Sequence, residues 1–456
     1  MICFMINRVP DSGSRREKPP AAAGIGLFAA MAIGIGGMIG AGIFSILGVV
    51  AQAAGNGMCL SFLLGGLVAL LCTYSYAKLG VRYPSAGGAV EFLVKGFGDG
   101  VLSGGINLYM WVGYVIALAL YAQGFVGYAL TFLPAQPPAW VPKGIGVGII
   151  LLFTGVNFIG ARTVGRSETL IVVVKLAILA LFAATGMFFM RGQYFSPSLL
   201  PSWTGIFFGA GVLFIGYEGF GLVTNAAEDM ANPRKLLPQA LYGSVAAVIL
   251  VYLVVSLAVI GNLDLPAIVA ARDYALAQAA KPFLGIWGFK LVAVGALFST
   301  ASAINATLFG GANVSYMIAR DGELPRIFAR QVWHRSSEGL FLTSGMVLLF
   351  VLFFDLSGVA MMGSGAFLLI YASVNAAHLK LIADTGARRW LVWLSLLSCL
   401  TMAGILCVYI YRNSKPAFIT MIALLPVCFA LEWAYRKRTG RSMKSRISSE
   451  GGQPLP

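Results

Sequence analysis

The stretch Gly34-Ile35-Gly36-Gly37-Met38-Ile39-Gly40-Ala41-Gly42-Ile43-Phe44, GIGGMIGAGIF, lies in the middle of an apolar run from Gly24 to Ala54. Five of its first nine residues are glycine. A bilayer crossing takes about 20 apolar residues, so the run is long enough to span as a helix. Glycine, however, is about 1 kcal/mol worse than alanine in a helix interior, so the centre of this span is built to come apart. Two uses are open to it. The glycines can let another backbone pack closely, as in small-xxx-small motifs, or they can expose main-chain groups to a ligand.

The rest of the chain has the composition of a membrane protein. Of its 456 residues, 59% are hydrophobic and 11% charged, against about 25% charged in a soluble domain. The apolar pattern predicts about twelve transmembrane helices, at roughly 26–51, 58–80, 104–132, 143–160, 168–190, 204–227, 238–261, 287–317, 340–355, 358–379, 390–411 and 415–435. Spans nine and ten are separated only by Asp355 to Ser357.

Charge fixes an orientation. With the N-terminus inside, twenty-four Lys and Arg residues fall on inner segments and six on outer ones, and Lys175 and Lys290 fall within spans. Such a bias places both termini in the cytoplasm. It assigns the formal charge of +15 to anionic lipid rather than to nucleic acid. Residues 1–23 read as a cytoplasmic segment without a cleavable signal, because the first apolar run is too long for one. Residues 436–456 read as a basic, disordered cytoplasmic tail. The six cysteines, Cys3, Cys59, Cys72, Cys399, Cys407 and Cys428, have no metal spacing and read as small buried hydrophobes.

A further interruption occurs in span six. Residues 207–221 hold five glycines and one acid, Glu218. Spans one and six stand five apart, so they are equivalent if 24–190 and 204–380 are two five-helix repeats, with 388–435 adding two further helices. Five is odd, so the other copy enters the membrane from the opposite side. Paired broken segments in corresponding positions point to a transporter's central site. Backbone freed in hydrocarbon is tolerated only where it lines a cavity. A half-helix N-terminus suits a carboxylate, and the carbonyl end of the other half suits an ammonium.

Four segments together resemble the amino acid–polyamine–organocation transporter superfamily, specifically its prokaryotic amino acid permeases. They are GIGGMIGAGIF (34–44), YPSAGGAVEFL (83–93), GYEGFGLVTNAAEDMANPRKLLPQAL (216–241) and INATLFGGANVSYMIARDGELPRIFAR (304–330). YPSAGGAVEFL is similar to the family's Pro-x-x-Gly-Gly loop. The segment 216–241 contains the run marked by Glu228, Asn232 and Pro233. The resemblance covers residues 24–435. It implies an all-α multi-pass membrane protein of the leucine-transporter-like 5+5 inverted repeat, with helices 1 and 6 broken. It implies a secondary transporter of amino acids in the cell (inner) membrane, with no cofactor and no metal. The substrate carboxylate would meet the backbone of Gly40, Ala41 and Gly42. The amine would meet carbonyls near Met38 and Ile39 and near Ile215, Gly216, Tyr217 and Glu218. Phe214 or Tyr217 would supply an aromatic wall or gate, or simply pack.

Lys175 bears on the coupling ion. It lies about a third of the way through span five, where a lysine is costly unless paired, neutral or in a wet cavity; the alternative is snorkelling to the surface. In sodium-independent members of the family a lysine here stands where sodium-coupled relatives hold the ion. Its expected neighbours are Ser299 and Ser302, which lie three apart and so on one helical face. Protons are therefore the expected coupling ion. The sequence departs from the family at Glu218. Members often carry an acid directly after Gly-Phe, where this chain has Gly221. Glu218 could carry a proton, balance Lys175 or recognise a cationic substrate.

The other charges read as bland: Arg166 and Glu168 flank span five, Arg320, Asp321 and Arg326 form a loop, and Asp355 sits in an outer turn. His334 and His378 read as surface residues. Nothing resembles an enzyme: no nucleophile–base pair, metal spacing or phosphate loop is visible. The remaining alternatives are obligate amino acid exchange, polyamine or cationic amino acid transport, and an amino acid sensor on a transporter fold.

Overall fold

The computed structural model describes residues 24–85, 87–134, 137–159, 164–195, 202–320 and 338–439. The segment 1–23, the tail beyond Thr439 and the loop carrying Asp321, Arg326 and His334 lie outside the described residues, as do the side chains of Arg166, Glu168 and Arg320. Among the described residues the regular elements are helices, joined by one isolated β-bridge between Ile25 and Met230.

The first apolar run forms three pieces, α1 (Leu27–Met38), α2 (Ala41–Ser45) and α3 (Leu47–Ala54). Next come α4 (Met58–Arg82), α5 (Ala89–Phe97), α6 (Val101–Leu130), α7 (Trp140–Ile159), α8 (Val164–Phe188) and α9 (Trp203–Leu213). A 3-10 segment, Phe214–Asp229, continues α9. The chain then forms α10 (Pro233–Asn262), α11 (Leu265–Ala270), α12 (Ala275–Arg320), α13 (Glu338–Phe353), α14 (Leu356–Lys380), α15 (Ile382–Thr385), α16 (Arg389–Asn413) and α17 (Lys415–Thr439). Eleven candidate spans are long and apolar enough to cross a membrane, and Gly339–Phe353 is a shorter apolar helix. Their positions match the twelve spans read from the sequence. α17 runs on to Thr439, so the first residues assigned to the tail are helical, and Arg436 pairs with Asp99 and Glu432.

The chain signals at element ends are local. Pro233 opens α10 at a position where its missing N–H costs nothing. Asp355 caps α14 by accepting from the Gly358 N–H at 3.0 Å, and it pairs with Arg272 at 2.8 Å. Gly285, at φ 65°, bends α12 near Pro282.

The bundle has a centre and a rim. α6 and α14 are mostly buried within the protein, whereas α7 and α17 lie mostly at its outside. The rim helices present Leu151, Leu170, Trp287, Leu397 and Leu431 outward, as a lipid-facing surface does. In the centre the two interrupted segments lie against each other. A side chain on Gly219 would run into the backbone of Gly37 and Met38. One on Gly42 would stand 3.1 Å from the Gly216 Cα and meet the Tyr252 hydroxyl. The packing use of these glycines is thus realised between the two segments themselves.

Span six differs from the expected open break. It stays helical and changes winding at Phe214. A 3-10 run seldom exceeds three or four residues, yet this one lasts sixteen. Neighbouring side chains hold it. The Ser364 hydroxyl accepts from the Ile215 N–H at 3.0 Å and donates to the Val212 carbonyl at 2.6 Å. Tyr217 donates to the Phe62 carbonyl at 2.8 Å, and Tyr371 to the Glu218 carbonyl at 2.6 Å.

Overpacking typically costs about 1–3 kcal/mol. Gly219→Val should therefore lower the thermal midpoint of the detergent-purified protein by several degrees. Gly404→Ala, on α16 with open space around it, should leave the midpoint unchanged or raise it slightly, since alanine favours the helix by about 1 kcal/mol. Equal effects of the two changes would contradict the backbone contact.

Candidate functional site

The end of α1 and the start of α2 define the site's backbone. α1 stops after Met38, and α2 begins at Ala41. A helix start leaves its first N–H groups without intrahelical partners, here at Ala41 to Ile43. Gly40 leads into them. A side chain at Gly40 would stand 3.3 Å from the Ala303 Cβ on α12 and 3.5 Å from Cε1 of Tyr121 on α6.

The carbonyls on the other side of the break are addressed one by one. Lys175, on α8 and only 4% exposed, donates from Nζ to the Gly36 carbonyl at 2.9 Å. Burial at that level excludes snorkelling. The Ser299 hydroxyl, on α12, donates to the Ile39 carbonyl at 3.2 Å, with Gly40 at 3.4 Å. The Tyr252 hydroxyl, on α10, shares its proton between the Met38 carbonyl at 2.7 Å and the Gly216 carbonyl at 3.0 Å. Ser302 sits on α12 three residues beyond Ser299 and is half-buried.

The structure therefore brings Lys175, Ser299 and Tyr252 onto carbonyls of one short stretch, Gly36 to Gly40, and Tyr252 onto Gly216 as well. It also modifies one expectation. The carbonyls of Met38, Gly216 and Glu218, expected to face a substrate amine, accept from the hydroxyls of Tyr252 and Tyr371. A carbonyl oxygen has two lone pairs, so the bond at Met38, where α1 ends, leaves one free, whereas Gly216 and Glu218 lie within the 3-10 run and also serve its ladder. Phe214 and Tyr217 are fully buried. Phe214 packs edge-on against Tyr371, and Tyr217 against Tyr252.

Glu218 is 4% exposed. Its Oε1 accepts from the Tyr121 hydroxyl at 3.0 Å. It forms no ion pair with Lys175, so the counter-charge expectation is corrected: Lys175 addresses the α1 carbonyl end, and Glu218 faces α6. His378, expected at the surface, is fully buried. It bonds Ser75 through Nδ1 at 2.9 Å and Thr385 through Nε2 at 3.0 Å. Its span ends in the short helix α15, which folds back over it. Among the described residues no cluster of three or more His, Cys, Asp or Glu could hold a metal.

Sequence reading missed the tyrosines. Tyr114, Tyr121 and Tyr128 stand seven apart on α6 and so share one face. A buried tyrosine hydroxyl usually finds a partner, and that spacing was the one signal of it. Tyr252, Tyr371 and Ser364 carried no comparable pattern, because their partners are backbone atoms distant in sequence.

This arrangement, a helical bundle that spans the membrane around two packed, interrupted segments, defines a multi-pass membrane transporter. The chain belongs to the amino acid permease family, whose model matches residues 25–430. It is 42% identical to an uncharacterized protein of Methanocaldococcus jannaschii, over 93% of this chain and 98% of that one. It is 33% identical to the inner membrane transport protein YbaT of Escherichia coli, over 82% of this chain and 86% of that one. It is 28% identical to the serine/threonine exchanger SteT of Bacillus subtilis, over 71% of this chain and 72% of that one.

Tyr252→Phe removes a hydroxyl shared between the two interrupted segments. Leaving buried acceptors unsatisfied costs about 1–3 kcal/mol. The variant should lose several degrees of thermal stability in detergent and transport more slowly. Tyr411→Phe, at an exposed ring, should change neither. Wild-type behaviour of Tyr252→Phe would contradict the hydroxyl's bridging role.

Proposed function

We propose that the protein carries amino acids across the cytoplasmic membrane by proton symport, independently of sodium, with both termini in the cytoplasm. The observation that carries this reading is the position of Lys175. It is a buried ammonium group at the carbonyl end of α1, where the oxygens would otherwise invite a cation. A positive charge there disfavours sodium in the same place. Ser299, on the neighbouring carbonyls, and Ser302, further along α12, complete that corner.

In this account the amino acid lies along the break. Its carboxylate meets the N–H groups of Gly40, Ala41 and Gly42. Its ammonium meets the carbonyls of Met38 and Ile39, and those of Ile215 to Glu218 once the facing segment moves. Lys175 holds the Gly36 carbonyl most strongly as the ammonium and more weakly as the neutral amine. The coupling follows from geometry: Gly36 is four residues from Gly40, so a change at one end of the break reaches the other. The buried state of Phe214 and Tyr217 makes movement of the two segments necessary for substrate entry. The pairing of interrupted spans one and six supports two inverted five-helix repeats, 24–190 and 204–380, with 388–435 outside them.

Uptake of radiolabelled amino acids into proteoliposomes tests this. An inward proton gradient should drive accumulation in the wild type without sodium, and Lys175→Ala should lower that accumulation at least tenfold. Ser299→Ala should weaken it less. Uptake only into vesicles preloaded with amino acid would establish exchange instead. Binding without accumulation would establish a sensor.

A further inference from the structure

Cys72, on α4, and Cys399, on α16, are fully buried free thiols. They are separated by 327 residues of chain, yet their Sγ atoms stand 3.2 Å apart. A cysteine that only fills space in a core needs no polar neighbour. These two have several. The Ser395 hydroxyl, one turn from Cys399, donates to Cys72 Sγ at 3.6 Å, and the Asn375 amide, on α14, donates to the same sulfur at 3.9 Å. The Cys399 thiol completes a ring of three groups able to donate to Cys72. This asymmetry assigns roles. The thiolate is the reactive form of a cysteine, and Cys72 has the donors arranged for it. Cys72 is therefore the attacking sulfur and Cys399 the resolving thiol.

A seam of polar side chains leads from this pair to the end of α14 beside α15. Asn375 Oδ1 accepts from the Ser75 hydroxyl at 2.5 Å, Ser75 meets His378 Nδ1 at 2.9 Å, and His378 Nε2 meets Thr385 at 3.0 Å. Thr385 is half-buried. Hydrogen peroxide is small, neutral and polar, and the seam offers it hydrogen-bond partners through the interface of α4 and α14. The pair also sits at a joint. α4 packs against α16 on one side and against the 3-10 segment of span six on another. Its Phe62 carbonyl accepts from Tyr217 of that segment at 2.8 Å. A shift of the interrupted segments therefore carries α4 with it, past α16.

We infer that Cys72 and Cys399 form a reversible oxidation site, at which hydrogen peroxide closes a disulfide that staples α4 to α16 and arrests transport. The arrest rests on the transport reading above; the disulfide does not. The Cys72 thiolate attacks one peroxide oxygen and the O–O bond breaks. Cys72 becomes a sulfenic acid, and the departing hydroxide takes up the proton that Cys72 lost and leaves as water. The Cys399 sulfur, giving up its own proton, then attacks the Cys72 sulfur. The S–S bond forms, the S–O bond breaks, and the hydroxide leaves with that proton as another water. Two thiols are oxidised and one peroxide is reduced. A disulfide bond is about 2.0 Å long, so closure draws the two sulfurs together by about 1 Å. A dithiol reductant reverses the step by exchange.

The experiment exposes the full chain in proteoliposomes to hydrogen peroxide, removes the peroxide with catalase and blocks the remaining thiols. Mass spectrometry of the unreduced digest should show the peptide holding Cys72 linked to the peptide holding Cys399, and dithiothreitol should remove the link. Uptake of radiolabelled amino acids should fall at least fivefold on oxidation and recover with dithiothreitol. Cys72→Ala and Cys399→Ala should each keep their uptake under peroxide. Cys59→Ala and Cys407→Ala, at the half-buried cysteines, should stay as sensitive as the wild type. Absence of the linked peptide, or links between other cysteines in its place, would overturn the site. A linked peptide with uptake unchanged would overturn the arrest. Loss of uptake in Cys72→Ala equal to that in the wild type would place the damage elsewhere and overturn it too. Should the alanine variants fail to fold, the wild type decides alone: linked fraction and lost uptake should rise together with peroxide dose, and a loss that runs ahead of the linked fraction would overturn the proposal. The linked peptide is read without transport, so its failure is distinct from a failure of the transport reading.

Discussion

Backbone-to-backbone contact between Gly37 and Gly219, and between Gly42 and Gly216, is the constraint on which the rest of this structure depends. In hydrocarbon every main-chain polar group needs a partner inside the protein. Two helices that both lose regular winding at the same depth would leave many such groups unmet. Setting the interrupted segments against each other removes much of that surface from lipid, and only glycine lets the chains come so near. The hydroxyls of Tyr252, Ser364, Tyr371 and Ser299 take up the carbonyls that remain, and Lys175 takes up one more. The polar centre of the bundle is thereby a consequence of its broken helices.

That arrangement joins the two halves of the chain. Tyr252 holds Met38 and Gly216 through one proton, so neither segment moves without disturbing the other. α8 contributes Lys175, α12 contributes Ser299, and α6 contributes Tyr121. Lys175 and Ser299 address carbonyls between Gly36 and Gly40, and Tyr121 addresses the Glu218 carboxylate on the facing segment. An energetic change at Lys175 or Ser299 is felt along a stretch of backbone only a few residues long. This is the physical basis for coupling in the account proposed above.

Much of the fold was legible in the sequence because bilayer thickness imposes a length on every span. The twelve apolar runs and the glycines of 34–42 have local signatures. Lys175 was legible for a related reason: a charge inside an apolar run has few explanations. The character of span six was less so. Its glycines announced an interruption, but its 3-10 winding is imposed by Ser364 and Tyr371 on α14, more than a hundred residues away. His378 was misread because closeness to a span's end suggests exposure, and only the folding of α15 back over it makes it buried. The partners of Tyr121 and Tyr252 are likewise tertiary facts.

The most direct measurement is an experimental structure of the protein with a bound amino acid. Ligand density should lie along the break, with the carboxylate on the N–H groups of Gly40 to Gly42 and the amine towards the carbonyls beside Gly216. Density at another depth, or in a pocket that touches neither interrupted segment, would show that the substrate site lies elsewhere.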